Sequence, residues 1–192
     1  MSERRIFQTM DIKIFHFFND LGYNYPFVGQ TALFIATDFS VILFIGTLVC
    51  LIFRKYKGYE NKPLGRFGIK FREIFFILFT SGIAWLVASV LKEIIGRLRP
   101  FVSLSGVHSL LVWGGHDSFP STHATFFAAL ATAIFVTDRR VGYIYIFLAL
   151  VISISRIIVG VHFPSDVFAG GILGFIIAYS ILRIKNKIQS TV

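Results

Sequence analysis

The sequence predicts an all-α protein, a polytopic membrane bundle of about five transmembrane helices with an N-terminal helix lying in the interface. Three observations lead there. Of 192 residues, 55% are hydrophobic and only 15% charged, whereas an ordinary soluble domain carries roughly 25% charge. Mean hydropathy is +0.73, and the 23 Phe residues suit lipid-facing surfaces and interfacial belts. Apolar runs close to the ~20 residues that a bilayer requires recur along the chain. Residues 1–192 read as a single membrane domain, with 1–30 an interfacial segment and 92–166 holding the polar motifs.

Taken in order, residues 10–25 (MDIKIFHFFNDLGYNY) place Ile12, Phe15, Phe18 and Leu21 at helical spacing among Asp11, Lys13, Asn19 and Asp20. This segment is too polar to span and reads as the interfacial helix. Residues 1–7 are polar and the first long apolar run begins near Thr31, so no cleavable leader is expected. Spans are expected at 31–53, 74–95, 122–137, 141–158 and 167–184. Asp38 interrupts the first, which suggests a start nearer Asp38, with that carboxylate as a cap. The third is short and is expected to begin within the polar residues 120–123.

Twelve of the nineteen basic residues fall on one side of this arrangement. They are Arg54, Lys55, Lys57, Lys62, Arg66, Lys70 and Arg72 between the first two spans, Arg139 and Arg140 between the third and fourth, and Arg183, Lys185 and Lys187 after the fifth. That side is expected to be cytoplasmic. The net charge of +9 is thereby explained by membrane-flanking loops, and no nucleic-acid partner is expected. The single Cys50 cannot form an intrachain disulfide.

Three polar clusters interrupt the oily chain: 92–100 (KEIIGRLRP), 120–123 (PSTH) and 155–166 (SRIIVGVHFPSD). With five alternating spans, all three fall at span ends on the outer face. Charges at such places are expensive unless they serve a function. They supply Lys92, Arg99, Ser121, Thr122, His123, Arg156, His162 and Asp166. Lys92 and Arg99 are seven residues apart, two turns if the helix continues, which would put them on one face before Pro100 ends it. Arg156 can fork onto two oxygens of an anion. Ser121 precedes the third span, where free backbone N–H groups favour negative charge. Three cations in one place suit a phosphate.

In order and spacing the clusters resemble the signature of the type 2 phosphatidic acid phosphatase (PAP2) superfamily, K-x6-R-P, P-S-G-H and S-R-x5-H-x3-D. One residue departs: Thr122 stands where the family usually has Gly, adding bulk while keeping its N–H. The resemblance implies a membrane lipid phosphatase working without cofactor or metal, through a phosphohistidine. It implies His162 as nucleophile and Asp166 as the group that fixes its tautomer. It implies His123 as acid and then base, with Lys92, Arg99, Ser121, Thr122 and Arg156 binding phosphate. Within the family the chain resembles bacterial undecaprenyl-diphosphatases most, by its small size, the FHFFN segment and the HDSFPSTH run. That implies a multi-pass protein of the bacterial plasma membrane with its site facing outward. Phosphatidylglycerophosphate, phosphatidate and lipid A 1-phosphate are alternative substrates, and a lipid-phosphate carrier is the non-enzymatic alternative.

Other polar residues have simpler readings. A metal site of His162, Asp166, His123 and Asp117 is disfavoured because three nearby cations would repel a divalent ion. His16, His108 and His116 read as structural. Glu93 and Arg97 read as an i,i+4 surface pair. Trp85 and Trp113 read as packing or interfacial anchors, and Gly170, Gly171 and Gly174 as close-packing positions.

Overall fold

The computed structural model describes residues 3–53, 63–111 and 115–191. Every regular element in them is helical. In chain order they are α1 (Glu3–Asn24), α2 (Pro26–Phe34), a π-helical turn (Ile35–Phe39), α3 (Ser40–Phe53), α4 (Pro63–Ile95), α5 (Pro100–Ser103), α6 (Thr122–Thr137), α7 (Arg139–Ile158) and α8 (Pro164–Thr191). Among the described residues, four stretches are long and apolar enough to cross a membrane: Pro26–Phe53, Phe71–Ile95, Arg139–Ile158 and Pro164–Lys185. Helix α6 is the shorter fifth apolar helix. Phe27 is 84% exposed and Phe53 77%, an arrangement that suits lipid and would be costly in water.

Helix α6 is the axis of the bundle, packed by α4, α7 and α8. Its sixteen residues reach about 24 Å at 1.5 Å per residue, less than a bilayer core. Protein surrounds it instead: Leu130 and Ala133 are fully buried in one core with Ile77 of α4 and Ile152 of α7, and Ala129 is fully buried against Ala84 of α4 and Ala178 of α8. Gly174 of α8 lies so close to α6 that a Cβ would meet the Thr125 carbonyl oxygen, and Gly170 faces Ser121 and Thr125 in the same way. The expected close packing therefore holds for Gly170 and Gly174. Gly171 has nothing within 4 Å of an added Cβ.

Several boundaries differ from the sequence reading. The first span starts at Pro26, where a proline at the first helical position is favoured, and runs unbroken past Asp38. Asp38 is therefore not a cap; it sits in the π-turn, which absorbs the irregularity without ending the helix. Helix α4 begins at Pro63, so Arg66, Lys70 and Arg72 belong to it and not to a loop. It ends at Ile95 because Gly96 turns left-handed at φ +60°. Lys92 and Arg99 consequently do not share a helix face, and Pro100 opens α5 where it was expected to close α4. Trp113 and the basic residues Arg54, Lys55, Lys57 and Lys62 lie outside the described residues.

Helix α1 forms as expected, but the stripe it buries is partly polar. Phe15 is buried between Asp11 and Asn19, one turn away on either side. Asn19 donates from Nδ2 to the carbonyls of His108 (2.9 Å) and Ile158 (3.1 Å), tying α1 to the loop before α6 and to the end of α7. The His108 ring stacks on Tyr23 at 3.7 Å, which is a structural role.

Candidate active site

The ends of four helices meet at one end of the bundle. Past Gly96 the chain runs extended, and residues 97–99 pair antiparallel with 116–118 around an isolated Leu98–Asp117 bridge. Ser118 N donates to Arg97 O at 2.6 Å and Arg99 N to His116 O at 2.9 Å. This pairing directs the Asp117 carbonyl between Lys92 Nζ (3.4 Å) and Arg99 Nε (3.1 Å). The convergence that one helix face was expected to give is achieved by this loop pair.

Ser121 is the N-cap of α6, its hydroxyl accepting from Ala124 N at 3.4 Å. Its own N–H donates to Asp166 O at 3.1 Å, so this amide ties α6 to the start of α8 and is engaged within the protein. Thr122 and His123 follow in the first turn. From α7 comes Arg156, 4% exposed, with Nη1 donating to the Ala36 carbonyl at 3.1 Å. Ala36 lies within the π-turn, where the backbone departs from the regular i−4 ladder. Gly160 then reverses the chain at φ +85°, in a spot where a Cβ would lie 2.8 Å from His108 O. The reversal delivers His162, 1% exposed, and Asp166 in the first turn of α8, fully buried.

His162 Nδ1 faces Asp166 Oδ2 at 3.7 Å, longer than a hydrogen bond, and has no hydrogen-bond partner. Catalytic hydrogen bonds are often long in unliganded enzymes and tighten around substrate. Asp166 is otherwise held firmly: Oδ2 accepts from Phe163 N (2.8 Å) and Oδ1 from Arg97 Nη1 (2.6 Å). The i,i+4 spacing predicts Arg97 as a surface partner of Glu93. Arg97 instead turns inward and pairs with Asp166 and with Asp11 of α1 at 2.8 Å, because α4 stops between the two residues. The pair and its partner Ser165 escaped the sequence reading. The available signal was Gly96, a helix breaker that removes Arg97 from the Glu93 register.

Two buried guanidinium nitrogens, Arg99 Nη1 and Arg156 Nε, also have no hydrogen-bond partner. Burial holds Arg99 below the ordinary arginine range, with the Asp117 and Asp166 charges opposing. Burial also holds the His162 imidazole well below the ordinary histidine range, and Arg156, Lys92 and Arg99 act in the same direction. The His162 ring is therefore neutral at neutral pH. Electrostatic interactions link His123 to Arg156, His162, Lys92 and Arg99, so the sequence-predicted residues form one constellation. Among the described residues, no three His, Cys, Asp or Glu side chains are grouped to hold a metal.

A cavity of about 770 Å³ opens beside it. Its polar wall is Arg99, Thr122, His123 and Arg156, and its apolar wall includes Val41, Phe44, Trp85, Phe126 and Phe127. Trp85 thus lines the cavity, and Asp38 and Thr37 present the π-turn to it. One end suits an anion and the other a hydrocarbon chain.

Residues 73–190 match the PAP2 superfamily. The bacitracin transport permease protein BcrC of Bacillus licheniformis is 32% identical to the chain, over 95% of this chain and 84% of that one. The undecaprenyl-diphosphatase BcrC of Bacillus subtilis is 33% identical over 57% of this chain and 56% of its own length. In fold, the chain is similar to the crystal structure of Aquifex aeolicus LpxE, with a TM-score of 0.70 at 23% identity, covering 90% of this chain and 94% of that one.

Proposed function

The chain belongs to the PAP2 superfamily and is a multi-pass membrane phosphatase, and from that premise we propose that it cleaves the terminal phosphate of undecaprenyl diphosphate, leaving undecaprenyl phosphate. The observation that carries this is the cavity, where buried cations and a hydrocarbon-lined wall adjoin. A lipid phosphate fits both halves; a soluble phosphate ester would use only one. The relative named as an undecaprenyl-diphosphatase supports the choice of lipid.

The chemistry follows from the residues. Lys92, Arg99 and Arg156 take the oxygens of the transferring phosphoryl group, whose charge they stabilise as it flattens. The open N–H groups of Arg99 and Arg156 are the donors that this requires. Neutral His162 attacks phosphorus through Nε2, since Nδ1 is turned to Asp166. A P–N bond forms as the bond to the lipid phosphate breaks, and His123 gives the leaving oxygen a proton. His123 then removes a proton from water, which breaks the P–N bond and releases inorganic phosphate. Asp166 holds the Nδ1 proton as the ring becomes cationic. Ser121 shapes the site as the cap of α6, and Thr122 lines the cavity. Residues 1–192 act as one domain, and the site faces outward.

A transport name attaches to one relative, and a carrier is the other reading. A carrier needs the cations but has no use for a His–Asp pair beside a second histidine. The test is phosphate release from undecaprenyl diphosphate by detergent-purified protein, with and without excess chelator. The expected result is stoichiometric release unaffected by chelation. Phosphate binding without release would favour the carrier, and loss of activity restored by one divalent ion would favour a metal site.

A further inference from the structure

We propose that α1 is a working part of the reaction centre, with Asp11, acting through Arg97, a positioning residue for the Asp166 carboxylate that orients His162. This rests on the reading of His162 as nucleophile and Asp166 as its partner. Asp11 lies outside the segment that matches the family, residues 73–190.

Asp11 is 6% exposed and accepts three hydrogen bonds. They come from Arg97 Nη2 at 2.8 Å, Ser165 N at 2.9 Å and Ser165 Oγ at 2.5 Å. The Ser165 amide belongs to the first turn of α8, so Asp11 serves that helix as a cap supplied from another helix. Arg97 fills the space between two carboxylates. Its Nη1 reaches Ser165 Oγ and Asp166 Oδ1, each at 2.6 Å, and its guanidinium lies 4.2 Å from the Phe163 ring centroid. Phe163 packs in turn on Phe15 of α1 at 5.5 Å. A planar guanidinium gripped along its edges and covered on one face has little rotational freedom, and neither has the Asp166 oxygen that it holds.

Charge gives Asp11 a second role. Arg97 alone would neutralise Asp166. With Asp11 on the opposite edge, the three groups carry a net single negative charge. Its near edge is Asp166 Oδ2, 3.7 Å from His162 Nδ1. As His162 attacks, its ring develops positive charge, and a nearby net anion lowers the energy of that state. A neutral Asp166–Arg97 pair would do so less well. Lysine could not serve at position 97, since a single ammonium does not bridge two carboxylates in a plane.

The test compares Asp11→Asn, Arg97→Lys and Asp20→Asn in the full-length protein in detergent. Asp20 lies exposed on the same helix and is the control. Asp11→Asn and Arg97→Lys are expected to lower kcat by about 10- to 100-fold, as loss of a partner that orients a site residue does elsewhere. KM and Tm should change little, and Asp20→Asn should match wild type. On an Asp166→Asn background the further loss from either variant should fall below about twofold, because the groups act as one unit. Wild-type kcat in Asp11→Asn or Arg97→Lys, beside an impaired Asp166→Asn, would overturn the proposal while leaving the His–Asp mechanism intact. So would an undiminished loss on the Asp166→Asn background, or a loss confined to KM and Tm. A fully active Asp166→Asn would instead refute the His–Asp reading, and this proposal with it.

Discussion

Arg156, Arg99 and His162 are each less than a tenth exposed, and each keeps one nitrogen without a hydrogen-bond partner. Leaving such groups buried and unpaired costs about 1–3 kcal/mol apiece, more where they are charged. An entering anion can satisfy the two guanidinium nitrogens, Arg99 Nη1 and Arg156 Nε, while His162 Nδ1 is left to Asp166. The two histidines then separate by position. His162 is enclosed, with Nδ1 towards Asp166, while His123 lines the cavity. His162→Ala is expected to abolish turnover and any acid-labile phosphoenzyme. His123→Ala, given a substrate whose leaving group needs no proton, should still form the phosphohistidine and then stall. Rapid-quench trapping of labelled phosphate followed by peptide mapping checks both, and label on His123 would reverse the roles. Asp166→Asn should cost on the order of 10²–10⁴ in kcat by analogy with triad enzymes. These residues were legible in the sequence because their spacing is regular within each cluster. Arg97 and Asp11 were not, since they meet across 86 residues and only the fold brings them together.

At the scale of elements, the site depends on how closely α8 lies on α6. The Ser121 N–H to Asp166 O bond joins their first turns, and Gly170 and Gly174 permit the approach below it. A side chain at 174 would meet the Thr125 carbonyl, with Ala128 Cβ at 3.0 Å. Backbone cannot yield as a flexible side chain does. Gly174→Leu is therefore expected to destabilise by about 1–3 kcal/mol or more through overpacking and to lower activity by displacing Asp166. Gly171→Ala, one position along the glycine pair and with open space around it, should be neutral to both. Thermal unfolding and phosphate release measured on the same preparations decide it; equal stability in the two variants would mean that the α6–α8 contact is looser than described. From sequence the three glycines were indistinguishable, because which of them faces α6 is set by helix rotation. Element ends were similarly opaque. A π-turn can carry Asp38 inside a helix, and basic residues such as Arg72 can extend one, so neither charge marked a boundary.

Across the whole molecule, alternation of spans brings three polar clusters to one end and leaves most of the ordinary basic residues at the other. That convergence needed only the count of apolar runs, which is why the bundle and its reactive end were readable before any contact was known. The side of the membrane is a separate matter, and it rests on charge. Arg72 on α4, Arg139 and Arg140 at the start of α7, and Arg183, Lys185 and Lys187 late in α8 all lie at the end remote from His162. Lysine and arginine are retained on the cytoplasmic side, and at the reactive end Arg97 is engaged with two carboxylates and Lys92 and Arg99 with the Asp117 carbonyl. Reporter fusions after Thr191 and within residues 54–62 are expected to read as cytoplasmic, and one at Gly106, an exposed turn glycine at φ +75°, as external. The cavity would then open to the outer leaflet, where a lipid diphosphate must present its headgroup to be cleaved. A cytoplasmic signal from the Gly106 fusion would invert the molecule and move the reaction to the inner leaflet, with the chemistry of the site unchanged.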